Sequence, residues 1–373
     1  MQSVKYKNEL VKRSFYKYLE HSKQFSVATV SCYEGAIWLW EDFTNKADFG
    51  SFNKTKAEEF KDWLKNKKKM SSQEKVSLSY CYDSLRHLKA FFDWLSKQPN
   101  YKSKINQTAI DYLNLTRGEV RIATQPKGRL SPALEEVKAV IEGIKGTSEI
   151  EMRDKALISL MLLTGARISA IASLPMRSFD RSSLIIDQDP KLGVKTKNSK
   201  RIITVFIPHS YREAQGYFLK WYDYLQDSKL FQPNDPIFPA TKVENGKENL
   251  GYYSNEEVEV IFWKSSTSPR KVFEKRFKQA GVKYYHPHTF RHLLVKEISK
   301  LPLTEEQKKA FSQNLGHADV GTTFGSYGYG DISEDRQVEL IKNIDFDGKQ
   351  DGTKYTLLSR EDLKVLAKEL KNY

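Results

Sequence analysis

At 373 residues the chain is too long for one ordinary domain, and two are expected. Hydrophobic residues make up 39%, enough for real cores, but no apolar run approaches the ~20 residues that span a bilayer, so no membrane partner is expected. The formal charge of +14 points to a polyanion, since neutralising phosphates releases counterions; residues 1–125 carry 22 Lys and Arg against 14 Asp and Glu, the remainder 39 against 33.

The first stretch, MQSVKYKNELVKRSFYKYLE, is charged throughout and lacks an apolar h-region, so no secretory signal is expected. Cys32 and Cys81 are the only cysteines; two thiols give no disulfide framework and fit a reduced, cytoplasmic setting. Residues 1–115 read as helices with basic surfaces. In 27–43 (VATVSCYEGAIWLWEDF), Val30, Tyr33, Ile37, Trp38 and Trp40 fall at mixed helical spacings, predicting a helix buried on much of its circumference, with Ser26 as its cap. Residues 56–64 and 78–95 repeat the amphipathic pattern. The KNKKK run at 65–69 reads as a loop or helix end, either a solvated face or a phosphate contact. The stretch 122–132 (IATQPKGRLSP) has two prolines, a glycine and little apolar pattern, which is linker composition.

The second part opens with Ser131 as N-cap and Pro132 at the first helical position of a helix. Residues 153–163 predict an apolar helix stopped at Thr164-Gly165, and a short helix carrying Arg167 ends before Pro175. The period then changes: 184–186 and 202–207 are β-type runs joined through KLGVKTKNSKR at 191–201, predicting a small antiparallel sheet with a basic turn. Residues 210–280 read as helix again, interrupted by a loop at 231–251.

Residues 286–330 concentrate the chemistry. Four of the seven histidines lie there (His286, His288, His292, His317), with Arg291, Tyr327 and Tyr329. Imidazole and guanidinium donate charged hydrogen bonds to phosphate oxygens, and a phenol can act as a nucleophile. His288 and Arg291 share a face of a helix beginning near Thr289, beside an apolar stripe of Phe290, Leu293, Leu294 and Ile298. A further helix starts at Thr304 with Gln307 as its capping-box partner and stops at Leu315-Gly316, which leaves His317 exposed beyond its end. The rival for the histidines is zinc. Pro287 breaks the H-x-H-x-x-x-H geometry and no Cys or acidic ligand faces it, so no metal is expected, and His286 and His292 are assigned to packing.

TGARISAIASL at 164–174, HPHTFRH at 286–292 and LGHADVGTTFGSYG at 315–328, in this order, resemble the three signature boxes of the tyrosine recombinase (phage integrase) family, and the basic turn at 191–201 stands where that family keeps a lysine. The resemblance implies that Tyr327 attacks a scissile DNA phosphate to give a 3′-phosphotyrosine and a free 5′-hydroxyl. It implies that Arg167 and Arg291 clamp the non-bridging oxygens, Lys197 protonates the departing 5′-oxygen, His288 assists proton transfer and His317 hydrogen-bonds the phosphate. Lys195 and Lys200 compete with Lys197, which is favoured by its place beside Asn198-Ser199. The usual family spacing from His317 lands on Ser326; the one-residue-longer TTFGSYG form, like that of some mobile-element integrases, implies Tyr327 as the nucleophile, with Tyr329 as the alternative. Ala170 stands where many members have an acidic residue.

The implied fold is mainly α with a small antiparallel β-sheet: a helical core-type DNA-binding domain at 1–124, a linker at 125–132, an α+β tyrosine-recombinase catalytic domain at 133–344, and a C-terminal linker and helix at 345–373 that docks in cis or on a neighbouring protomer. The implied partners are double-stranded DNA carrying specific recombination sites and three further copies, a homotetramer on two sites, with room for an excisionase or DNA-bending factor. No cofactor is implied, since the phosphotyrosine ester keeps the bond energy and the chain has no Walker glycine loop. The longer TTFGSYG box favours the integrase of a mobile element over an Xer-type resolvase or a transposase; a DNA-binding protein that has lost catalysis, and a type IB topoisomerase, are the competitors.

Overall fold

A computed structural model describes residues 4–69, 72–125, 130–207, 211–245 and 252–325, with the backbone alone at 243–245 and 252–255. The chain forms two compact units, Met1–Lys127 and Gly128–Tyr373.

The first unit consists of α1 (Val4–Lys17), α2 (Val27–Phe43), α3 (Lys54–Asn66), α4 (Leu78–Leu95), α5 (Gln107–Ile110) and α6 (Arg117–Thr124). Polar side chains start most of them: Ser26, Asn53, Ser77, Asn106 and Thr116 each accept a first-turn backbone N–H, satisfying donors that a helix leaves orphaned. The core is aromatic, with Trp40 edge-on to Phe60 and Phe92, and Phe52 stacked on Phe92 at 4.0 Å. Helix α2 is not buried around its circumference as expected. Trp40 is buried but Trp38 is 55% exposed, because successive positions two apart on a helix point to different faces. The lysine run ends α3, and its side chains engage carboxylates: Lys65 with Glu119 at 2.6 Å, Lys67 with Asp42 at 2.9 Å and Lys69 with Glu74 at 2.7 Å.

The second unit begins with α7 (Leu134–Glu142), α8 (Glu149–Thr164) and α9 (Ile168–Ile171). Helix α7 starts two residues later than expected from Ser131-Pro132. Its N-cap is Ala133, because Glu136 three residues on reaches back to the Ala133 N–H at 2.7 Å. Every residue of α8 from Ala156 to Thr164 is buried, so this helix is the axis of the core. Strands β1 (Phe179–Asp180), β2 (Ile185–Gln188) and β3 (Ile202–Val205) form one antiparallel sheet, β2 and β3 in the register Ile185↔Val205 to Gln188↔Ile202. Then follow α10 (Glu213–Asp223), β4 (Pro239–Asn245), β5 (Tyr252–Phe262), α11 (Thr267–Gln279), α12 (Thr289–Ile298), α13 (Glu305–Asn314) and α14 (Val320–Thr323).

Helices α10 and α11 fit the helical reading of 210–280, but the β4–β5 hairpin overturns it between Pro239 and Phe262. Its anchors are tertiary: Arg153 on α8 donates to the Pro239 carbonyl at 3.1 Å and the Thr241 hydroxyl at 3.0 Å, and the Val258 N–H donates to Glu149 at 2.8 Å. Val258 is buried while its neighbours Glu257 and Glu259 are exposed, as successive side chains of a strand point to opposite faces. Ser326, Tyr327, Tyr329 and the expected C-terminal linker and helix at 345–373 lie outside the described residues.

Candidate active site

The site residues sit where regular elements end. Helix α8 stops at Gly165 in the left-handed region (φ 58°), and there a Cβ would lie 2.8 Å from Leu315 and 2.9 Å from Leu294. Only glycine allows that close approach. The turn, held by the Thr164 hydroxyl accepting from Ala166 N–H at 3.1 Å, delivers Arg167 as the N-cap of α9, half-buried.

The basic turn between β2 and β3 is fastened to the segment just after α9 by Ser173, whose hydroxyl accepts from the Lys195 N–H at 2.8 Å. Beyond it Lys197 is exposed, followed by Asn198 and Ser199 at φ 57° and 50°. Asparagine tolerates that conformation better than most residues. Lys195 and Lys200 are exposed as well.

Helix α12 carries the second basic pair. His288 is its N-cap and half-buried, and Arg291 is 1% exposed. His286 is exposed; its carbonyl accepts from the Thr289 N–H and hydroxyl, and its Nδ1 accepts from His288 N–H at 3.2 Å. His292 is buried, its ring meeting His288 edge-on at 6.1 Å. Among the described residues, no group of three or more His, Cys, Asp or Glu could hold a metal.

His317 is buried at 5% exposure, not exposed as the sequence suggested. Helix α13 does end before it, but Asn314 docks against β3 like a strand, accepting from Val205 N–H at 2.7 Å and donating to Val205 O at 3.1 Å. Gly316, at φ 76°, then turns the chain inward over Ile202. Arg291 Nη2 donates to the Leu315 carbonyl and to His317 Nε2, the latter at 3.0 Å. His317 Nδ1 lies 2.8 Å from the Thr323 hydroxyl.

The electrostatics show what the geometry assembles. The His317 pKa is pushed down to about 4, first by burial, then by the positive fields of Arg291, Arg167, His288 and Lys197. Thus α8–α9, the β2–β3 turn, α12 and the segment after α13 bring their basic groups together around one imidazole. Like charges brought into a partly dry site raise its free energy until an anion enters. The structure brings together Arg167, Lys197, His288, Arg291 and His317. Ser173, Asn314, Ser312 and Thr323, which hold them, escaped sequence reasoning because lone Ser, Thr and Asn residues carry no spacing signal.

The second unit is a mostly helical unit that converges basic residues on a buried histidine. A profile of the phage integrase family matches residues 133–329, more than half of the chain, and the chain belongs to that family. Tyrosine recombinase XerD of Rhizobium meliloti (strain 1021) is 26% identical over 214 residues, covering 55% of this chain and 56% of that protein. The chain spans about half the length of the first curated relatives it matches. Two solved structures share the fold. A lambda integrase dimer bound to a core site is 12% identical over 86% of this chain and 94% of that one (TM-score 0.56). The Tn1549 transposon integrase in complex with a circular intermediate DNA is 15% identical over 90% and 99% (TM-score 0.54).

Proposed function

We propose that the protein is a site-specific DNA recombinase that cuts and rejoins DNA through a 3′-phosphotyrosine intermediate, integrating or excising a mobile element. The observation that carries this reading is the convergence of Arg167, Arg291, His288 and Lys197 on His317. A phosphodiester attacked by a phenol gains negative charge on its equatorial oxygens, and preorganised cations stabilise it most in a water-poor site. Arg167 and Arg291 hold the non-bridging oxygens. Lys197, exposed on its turn, reaches the departing 5′-oxygen with a proton. His288 moves the tyrosine proton, His317 completes the cradle, and Tyr327 is the nucleophile. Residues 1–124 form a DNA-binding domain and 133–344 the catalytic domain. Residues 345–373 dock on a neighbour in a homotetramer spanning two sites.

The test is a pool of nicked suicide duplexes with randomised sequence, from which covalent adducts are recovered on denaturing gels. Adducts on a sequence-restricted subset, lost in Tyr327→Phe and kept in Tyr329→Phe, support the proposal. No adduct leaves a DNA-binding protein, and adducts on arbitrary sequence a topoisomerase. The similarity to XerD favours a second reading, a resolvase; recovered sequences matching a chromosomal or plasmid resolution site instead of the ends of an element decide for it.

A further inference from the structure

The hydrogen bonds around His317 run in one direction. Arg291 Nη2 can only donate, so His317 Nε2, 3.0 Å away, accepts. With its pKa near 4, the ring at neutral pH carries a single proton, which therefore sits on Nδ1 and is donated to the Thr323 hydroxyl at 2.8 Å. Thr323 lies 2.7 Å from the Ser312 hydroxyl, which in turn reaches the Asp319 carbonyl at 3.2 Å. A carbonyl only accepts, so Ser312 donates to it and Thr323 donates to Ser312. Both hydroxyl residues are completely buried, so no bulk water competes.

We propose that Thr323 and Ser312 form a reversible hydroxyl relay that sets the tautomer of His317 and, through it, the orientation of Arg291. In the free protein the relay holds Nδ1–H, leaving the Nε2 lone pair to fix the guanidinium. The partner of Nδ1 is a hydroxyl, which both donates and accepts, and not a carboxylate, which would lock Nδ1–H permanently. When a phosphate draws on Arg291, the relay turns round. Ser312 donates to Thr323, Thr323 donates to Nδ1, and the ring presents Nε2–H to the anion. The exchange runs through the imidazolium: Nε2 takes a proton from water at the phosphate face and, in a transient local opening that wets the relay, Nδ1 returns one, so the net protonation is unchanged. This reversal rests on the recombinase reading; the free-state tautomer does not. Thr323 and Ser312 are positioning residues, acting on the phosphate only through the imidazole.

The experiment is nitrogen NMR on protein labelled with 15N-histidine, with the His317 resonances identified by their loss in His317→Gln. At pH 7 the free protein should show a protonated Nδ1 and an unprotonated Nε2, and binding the duplex recovered in the adduct assay should exchange the two. Thr323→Val should abolish the single tautomer and slow adduct formation roughly tenfold, the scale of one lost buried hydrogen bond, with gel-shift affinity unchanged. Thr323→Ser should restore both, and Ser312→Ala should repeat the defect from the far end of the relay. A free protein in the Nε2–H form, or a Thr323→Val protein with unaltered tautomer and rate, overturns the relay. An Nδ1–H signal that persists on the duplex overturns the reversal. If no duplex gives an adduct, the recombinase reading fails, while the free-state tautomer still decides the relay.

Discussion

Among its described residues the second unit buries basic groups in two places, and it treats them in opposite ways. Arg153 and Arg276, 2% and 4% exposed, share Asp154 at 1%. Arg153 donates to one carboxylate oxygen at 2.8 Å and Arg276 to the other at 2.8 Å. Around His317 the centre of the cluster is an imidazole, and among the described residues Arg291, Arg167, His288 and Lys197 lower its pKa with positive fields. The first arrangement is a closed knot that fastens α8, α11 and the β4–β5 hairpin. The second holds positive charge in readiness for an anion. A buried arginine is thus a brace or a tool according to what stands between it and its neighbour.

The comparison is broken most forcefully at its carboxylate. Asp154→Ala leaves two arginines buried without their shared anion and should cost about 3–5 kcal/mol, read as a large drop in the denaturation midpoint. Arg291→Lys should cut adduct formation roughly a hundred- to a thousandfold, the scale of losing a preorganised donor to a developing oxyanion, while lowering the melting temperature less than Asp154→Ala does. Next comes the backbone that delivers His317. Gly316→Ala places a Cβ 2.4 Å from Ile202 Cδ1 at a φ of 76°, so about 2 kcal/mol of stability should be lost. Adding Ile202→Val should relieve the clash but not the backbone strain.

The charge difference also predicts a pH dependence. His317 is depressed to about 4 in the folded chain and returns to about 6.5 when unfolded. Above pH ~6.5 both states are neutral there. As pH falls from there toward 4, the unfolded chain binds a proton that the folded chain refuses, so stability falls through this window. His317→Gln should flatten that part of the stability curve relative to wild type. The smallest effect belongs to the first unit: Lys89→Ala, which breaks a largely exposed pair with Asp111, should change stability by no more than about 0.5 kcal/mol.

Legibility in the sequence followed how local the physics was. Helices α2, α3 and α4 and the β2–β3 sheet were readable because amphipathic period and β-branched runs are properties of a few consecutive residues. Arg167, His288, Arg291 and His317 stood out because their boxes are short; the phage integrase profile spans those boxes, and the roles of the four residues belong to the proposal. The β4–β5 hairpin was missed because its anchors, Arg153 and Glu149, lie 86 and 109 residues before the groups they hold. The burial of His317 was missed because a glycine stop states where a helix ends and not where the chain goes next.

The sequence by itself therefore determined the helical character, the order of the boxes, the kinds of side chain available and the family. Tertiary structure decided that Arg167, Lys197, His288 and Arg291 act on a single buried imidazole. It also decided that Arg153 and Arg276, equally basic in the sequence, act on a carboxylate instead. Charge is a property of a residue, but field and hydration belong to an arrangement, and only packing fixes those.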